Sequence, residues 1–314
     1  MLGCLFPVSI LNGIVLIDKP SGITSFKVVS IVRKIFGTKK VGHAGTLDPL
    51  ATGLLPVLIN KATKIQELIQ NANKEYIAEF KLGLNTDTQD ITGNIVNKYE
   101  GKIVVSEREI NNALLRFKGS IQQIPPIYSA ISQNGVRLYI LARKGIKIER
   151  EKRNININRL DLLDFDTQFN IGKILVNCSK GTYIRTLCED IGNYLGFGAT
   201  LISLRRTKTC NFDVKESVTL NSLENLKKVG KEYNVVLPLE KVFDNYQSIF
   251  LEAKQEKMFK NGRDVKINLN EKFMYSFLKN ETNFLRIFNG DNVFLGLGKY
   301  SSKNRNISPY KILV

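Results

Sequence analysis

Along this chain the spacing of apolar side chains switches repeatedly between two periods, and each switch marks an element. Residues 13–17 run Gly, Ile, Val, Leu, Ile and end at the turn Lys19-Pro20-Ser21-Gly22. A short apolar run closed by proline and glycine predicts a buried strand. Thr24 or Ser25 then caps a helix reaching toward Ile35, with Phe26, Val29, Val32 and Ile35 or Phe36 at helical spacing. Over residues 76–84, Tyr76, Ala78, Phe80 and Leu82 alternate with Ile77, Glu79 and Lys81, the pattern of a half-buried strand. Ser106, with Glu109 three residues on, forms a capping box that opens a helix over 106–117. A further strand is expected at 174–178, and a helix at 183–195 after the break at Gly181.

These elements mix without a repeating βαβ period, which predicts an α+β fold with an antiparallel or mixed sheet. The chain of 314 residues accommodates one large domain and a small one. From about residue 221 the pattern changes. A charged helical stretch at 220–232 leads to Pro238, and 259–263, 284–288 and 293–298 read as strands around Asn-Gly turns. Residues 1–17 are apolar but lack a basic leader, and Asn12 and Asp18 interrupt or end the run, so a lead into the first strand is expected rather than a signal peptide. No stretch reaches the length of a membrane-spanning helix, so a soluble protein is expected.

Composition adds a partner class. Lys and Arg total 46 against 29 Asp and Glu, a net charge of +17. Such an excess suits a polyanion, although a lysine-rich genome would produce it too. Between 132 and 160 the charge is denser: Arg137, Arg143, Lys144, Lys147, Arg150, Lys152, Arg153 and Arg159 stand with Tyr128 and Tyr139 nearby. Such a stretch is either a solvated helix face or a phosphate-tracking surface whose aromatics stack on bases. The 4 cysteines show no C-x-x-C spacing and there is 1 histidine, which argues against a zinc site and for reduced thiols in the cytoplasm. Nucleotide-binding glycine motifs are missing too.

That one histidine lies in Val-Gly-His-Ala-Gly-Thr-Leu-Asp-Pro-Leu-Ala-Thr-Gly, residues 41–53. Pro49 restricts the backbone of Asp48 and holds its carboxylate at a rigid bend. Taken alone, the segment is a glycine-rich turn with a capping aspartate. Its surroundings say more. It resembles the G-H-x-G-x-L-D-P-x-A-x-G-x-L motif of the TruB family of tRNA pseudouridine synthases, with Gly42, His43, Gly45, Leu47, Asp48, Pro49, Ala51, Gly53 and Leu55 in register. Further blocks of that family follow in order at 13–25, 74–76 with 82–90, 125–130 with 138–143, 178–187 and 204–207. The likeness is close over about residues 12–220. One departure stands at Ser132, where the family commonly has lysine.

The resemblance implies a pseudouridine synthase fold, α+β, with a mixed, mainly antiparallel central sheet flanked by helices and a small C-terminal β-rich PUA-like domain. It places the catalytic domain at 1–225, with a basic RNA-binding insertion at about 124–153, and the RNA-binding tail at 240–314. The implied reaction is isomerisation of uridine-55 in the tRNA T-loop: the N1–C1′ bond breaks, the flipped base turns, and C5 rejoins the sugar. Such a reaction requires neither cofactor nor metal. Asp48 would act at the sugar as nucleophile or base, and Arg185 would pair with it bidentately. Tyr76 would stack on the base and serve as acid or base late in the reaction. Tyr183 and Leu204 would wall the pocket, although on burial alone either could be ordinary core. His43 would fill the space the base vacates, and Lys19 and Lys64 would contact phosphate. The partner implied is the tRNA T-arm, bound by a monomer without guide RNA. The other reading is an RNA chaperone that refolds tRNA without chemistry; retention of Asp48, Tyr76 and Arg185 favours the enzyme.

Overall fold

The computed structural model describes residues 11–129, 150–267 and 284–314, together with the backbone of 132–133 and 136–137. The side chains of 132–149, which include Ser132, Tyr139 and half of the basic stretch, lie outside the described residues.

Strands β1 (Gly13–Lys19), β2 (Val41–His43), β3 (Thr52–Ile59) and β4 (Lys74–Leu82) open the chain. The short strands β5 (Leu84–Thr86) and β6 (Ile95–Lys98) follow, then β7 (Gly119–Gln123). The pair β8 (Ser132–Gln133) and β9 (Val136–Arg137) precedes the long strands β10 (Arg153–Asp166), β11 (Ile171–Cys178) and β12 (Ala199–Thr209). The central sheet runs β1-β3-β12-β4-β11-β10-β7. Every neighbouring pair along this path is antiparallel except β3–β12, so the sheet is mixed and mainly antiparallel. That exception matters, because it brings the segment after Asp48 beside Arg205 and Arg206.

Burial explains the strand patterns. In β4 the expected alternation holds from end to end, with Tyr76, Ala78, Phe80 and Leu82 inward. It stops at Leu82 because Gly83, at φ +84°, turns the chain; residue 84 therefore opens β5 and does not extend β4. The continuous apolar runs of β1 and β3 are buried on both faces. Val15, Ile17, Leu55, Val57 and Ile59 join the core beneath the helices. Ile14, Leu16, Leu54 and Leu58 join a second core with Phe212, Leu239, Phe243, Leu297 and Leu313. The C-terminal segment is thus sealed onto the back of the central sheet.

Helix Ser25–Phe36 is capped by the Thr24 hydroxyl, which accepts from Lys27 N, and ends at Gly37 in the left-handed conformation. Its buried stripe is Val28, Val29, Val32, Ile35 and Phe36, whereas Phe26 is 70 % exposed. Val29, Val32, Ile35 and Phe36 lie inward as expected; Phe26 alone does not, and Val28 takes the inner position at the first turn. Helix Glu107–Arg116 begins with the expected Ser106–Glu109 capping box.

Beyond the central sheet, helix Leu220–Lys228 is shorter than the expected 220–232, because Gly230 at φ +68° turns the chain and Lys231 N donates back to Leu226 O. A second sheet follows in the order Ser248–Leu251, Phe284–Asn289, Phe294–Ser301, Asn306–Ile312, Val265–Lys266. Strands were expected at 284–288 and 293–298, and both are found. The expectation at 259–263 is overturned: Phe259 and Lys260 close helix Ala253–Lys260, and Asn261-Gly262 is its exit.

Candidate active site

The loop between β2 and β3 carries Asp48, and the turn after β1 with the start of the following helix holds that loop in place. The Ser25 hydroxyl donates to Leu47 O and accepts from Leu47 N, both at 2.9 Å, in a buried position. Gly22 N donates to Pro49 O at 2.8 Å, and the Ser21 hydroxyl donates to Leu50 O. Leu47 is anchored in the core. Backbone polar groups on both sides of Asp48 are therefore satisfied by fixed partners, and the carboxylate has a defined direction.

Arg185 meets it from the opposite side. It is the second residue of helix Ile184–Tyr194 and is 5 % exposed. Its Nε lies 3.0 Å from Asp48 Oδ2. The rest of the guanidinium is committed elsewhere: Nη1 donates to Thr88 O and Nη2 to Tyr128 O, each at 2.9 Å, with Asp90 Oδ2 3.6 Å from Nη1. The expected bidentate pairing is therefore not what is found. One nitrogen holds Asp48, and the others tie down the loop after β5 and the segment after β7. The Asp48 side chain itself is 42 % exposed. Enclosure by protein pushes its carboxyl above the ordinary range, Arg185 opposes that, Asp90 adds to it, and Lys19 opposes it more weakly.

Tyr76 sits on β4 directly across from Arg206 on β12 and is buried. Burial pushes its phenol up, opposed by the Arg206 guanidinium, and Asp48 is near enough for its charge to be felt. Tyr183 caps the helix that bears Arg185, and Gln123 clamps it by accepting from Tyr183 N at 2.8 Å and donating to Tyr183 O at 3.1 Å. Its phenol too is raised by burial, with Asp48 and Arg185 among its neighbours. Leu204 lies on β12 and is nearly buried. His43 ends β2, where burial and then Arg206 push its pKa down, so the ring is neutral at physiological pH.

The structure thus brings Asp48, Tyr76, Arg185 and Tyr183 close to one another. Two lysines are engaged by backbone carbonyls. Lys19 is fully buried, and its Nζ donates to Pro20 O, Ile23 O and Pro49 O. It therefore cannot be the phosphate contact expected of it. Burial pushes it down to about 8, and its role is to pin the turn under Pro49. Lys64 Nζ donates to Ile312 O at 3.0 Å and so ties the C-terminal strand to the segment after β3.

Several residues around the site carried no role in the sequence. Asp90 and Arg206 lie inside recognisable blocks, yet nothing local shows which charge turns inward. Gln123 lies in no block. Gly53, at φ +96°, had a visible signal as glycine: a Cβ there would overlap the Arg206 carbonyl, so only glycine lets β3 run against β12.

Comparison with known proteins identifies the family. Residues 33–184 match the family model described as TruB family pseudouridylate synthase (N-terminal domain), and residues 185–244 match the tRNA pseudouridylate synthase B C-terminal domain. The chain is 45 % identical over 306 residues to tRNA pseudouridine synthase B of Clostridium tetani, covering 97 % of this chain and 100 % of that protein. It is 43 % identical over 300 residues to the protein of the same name from Clostridium acetobutylicum, covering 95 % and 98 %. Among solved structures, the crystal structure of a Cbf5-Nop10-Gar1 complex matches with a TM-score of 0.71 at 24 % identity, over 96 % of this chain and 85 % of that one, which speaks for the fold alone. With likeness of this degree along nearly the full length of both chains, and with the Asp48 loop inside the matched N-terminal segment, the chain belongs to the TruB family of pseudouridylate synthases.

Proposed function

We propose that this protein converts uridine-55 in the T-loop of tRNA to pseudouridine, with Asp48 as the group that acts at the sugar. The observation that carries the assignment is the Asp48–Arg185 contact: a partly exposed carboxylate held by an almost fully buried guanidinium. Such a pair keeps a nucleophile or base ionised and aimed while one of its edges stays free for substrate. Tyr76 stacks on the flipped uracil and exchanges protons with it, Tyr183 and Leu204 wall the pocket, and neutral His43 stands in for the displaced base. The excess of basic residues supplies the phosphate contacts. The relatives' printed names support tRNA as the substrate. On this reading residues 1–225 form the catalytic domain, 124–153 reach over the RNA, and the PUA-like unit at 240–314 adds binding surface. The enzyme works in the cytoplasm as a monomer and without guide RNA.

The test is conversion of an unmodified tRNA transcript, with every uridine mapped for pseudouridine afterwards. Product at position 55 alone is expected. Product at another position would move the target, and tight binding without product would leave an RNA chaperone. The acid side of the pH profile provides a second measurement. The ionised form of Asp48 is the active one and its pKa is raised above the usual 3.8, so activity is lost as pH falls through that raised value. The acid limb of kcat/KM is therefore expected above pH 3.8; a limb at or below that value would contradict the role assigned to Asp48.

A further inference from the structure

Arg206 is the largest fully buried side chain among the described residues, and the established parts of the site do not account for it. A guanidinium taken out of water is costly unless an anion or several acceptors receive it. Here Nε donates to Leu54 O at 2.7 Å and Nη2 to Gly45 O at 3.1 Å. Both acceptors flank the loop that carries Asp48. Among the described residues no carboxylate pairs with Arg206; the group that supports its charge is Tyr76, its direct partner across the β4–β12 pair. Lys74, two positions before Tyr76, lies close by and is pushed down to about 8 by burial, with Arg206 contributing. Arg206 is thus the cation that acts on the Tyr76 phenol, and Gly45 leaves room for its guanidinium: a Cβ there would sit 3.3 Å from Arg206 Nη1.

We propose that Arg206 is a positioning residue for the reaction, holding the Tyr76 phenol oxygen and carrying the negative charge that oxygen acquires when its proton leaves. This rests on the synthase reading above. Over the whole isomerisation C5 loses one proton and N1 gains one. The phenol gives its proton to N1, and the phenolate, held by Arg206, takes the proton from C5. The C5–H electron pair re-forms the ring double bond, and Tyr76 returns to its starting state. A guanidinium donating to the phenol oxygen also turns the O–H away from itself, toward the pocket. A cation placed in advance where charge develops is the arrangement that lowers a barrier in a water-poor site.

Single-turnover conversion of a T-arm RNA, bearing either hydrogen or deuterium at C5 of the target uridine, tests the assignment in wild type, Arg206→Gln and Arg206→Lys. Arg206→Gln is expected to slow conversion about 100-fold, to leave RNA affinity within about twofold, and to reveal an isotope effect absent from wild type. Arg206→Lys keeps the charge and is expected to recover part of the rate; it also serves if the glutamine variant does not fold. A slow variant without an isotope effect would mean that Arg206 only shapes the Asp48 loop through Gly45 and Leu54. Loss of affinity in proportion to rate, or no loss at all, would overturn the proposal as well. Failure of the wild type to form pseudouridine would instead count against the synthase reading.

Discussion

Asp48→Asn is expected to abolish pseudouridine formation, with a fall in rate of at least about 10⁴-fold, while RNA binding is retained. Asparagine matches the shape of aspartate and can still accept from Arg185 Nε, so the loop held by Ser25, Gly22 and Lys19 has no reason to move. What it lacks is the negative charge that attacks or deprotonates the sugar. Binding should be equal or tighter, because a carboxylate facing a polyanion is repulsive. Stability carries the opposite sign from activity. A carboxyl whose pKa is raised in the folded protein is destabilised when ionised, so at neutral pH the charged Asp48 opposes folding. The variant should therefore melt at the same temperature as wild type or higher, the trade expected of a group held for chemistry. Measuring turnover, affinity and melting on one preparation checks all three. Residual turnover near wild type would place the chemistry on another group.

Much of the fold and the site could be read from the residues, and the exceptions have a common cause. Local signals were legible: the alternation in β4, the Ser106–Glu109 box and the proline after Asp48 each concern a few adjacent residues. What depends on a partner distant in sequence was not. The inner position at the first turn of helix Ser25–Phe36 is set by the sheet it packs on, so Val28 is buried and Phe26 faces solvent although both fit a helical stripe. Lys19 precedes a proline turn and looks like a surface cation, yet the carbonyl of Pro49, thirty residues away, draws it inside. Phe259 belongs to a helix because Glu252 and Gln255 cap its start, a signal weaker in sequence than the Asn-Gly pair that suggested a hairpin. Arg185 could be matched to Asp48 by its block, but the carbonyls of Thr88 and Tyr128 come from two other segments, and they decide which of its nitrogens remains for the carboxylate.

Those same partners make Arg185 the position where replacement should cost both fold and function. Arg185→Met removes a nearly buried cation, leaves Asp90, whose side chain is 8 % exposed, without its counter-charge, and strands two carbonyl acceptors. Breaking a buried pair from one side typically costs about 3–5 kcal/mol, which for a chain of this size lowers the melting midpoint by roughly 5–15 °C. Turnover should fall with it, because Asp48 loses its fixed direction as well as its counter-charge. Arg185→Lys separates the two effects. An ammonium restores the charge and can reach one or two acceptors, but it cannot hold Asp48, Thr88 O and Tyr128 O in the plane a guanidinium spans. Most of the stability should return, while kcat stays down by about 10²–10³-fold for want of alignment. Full recovery by lysine would mean that charge alone is required. A double variant sharpens the point: in the Arg185→Met background, Asp48→Asn should recover stability by more than it does in wild type, since it removes a carboxylate left without its cation. Strict additivity would show that Arg185 supports the fold through Asp90 and the carbonyls alone, and that its hold on Asp48 contributes little to folding.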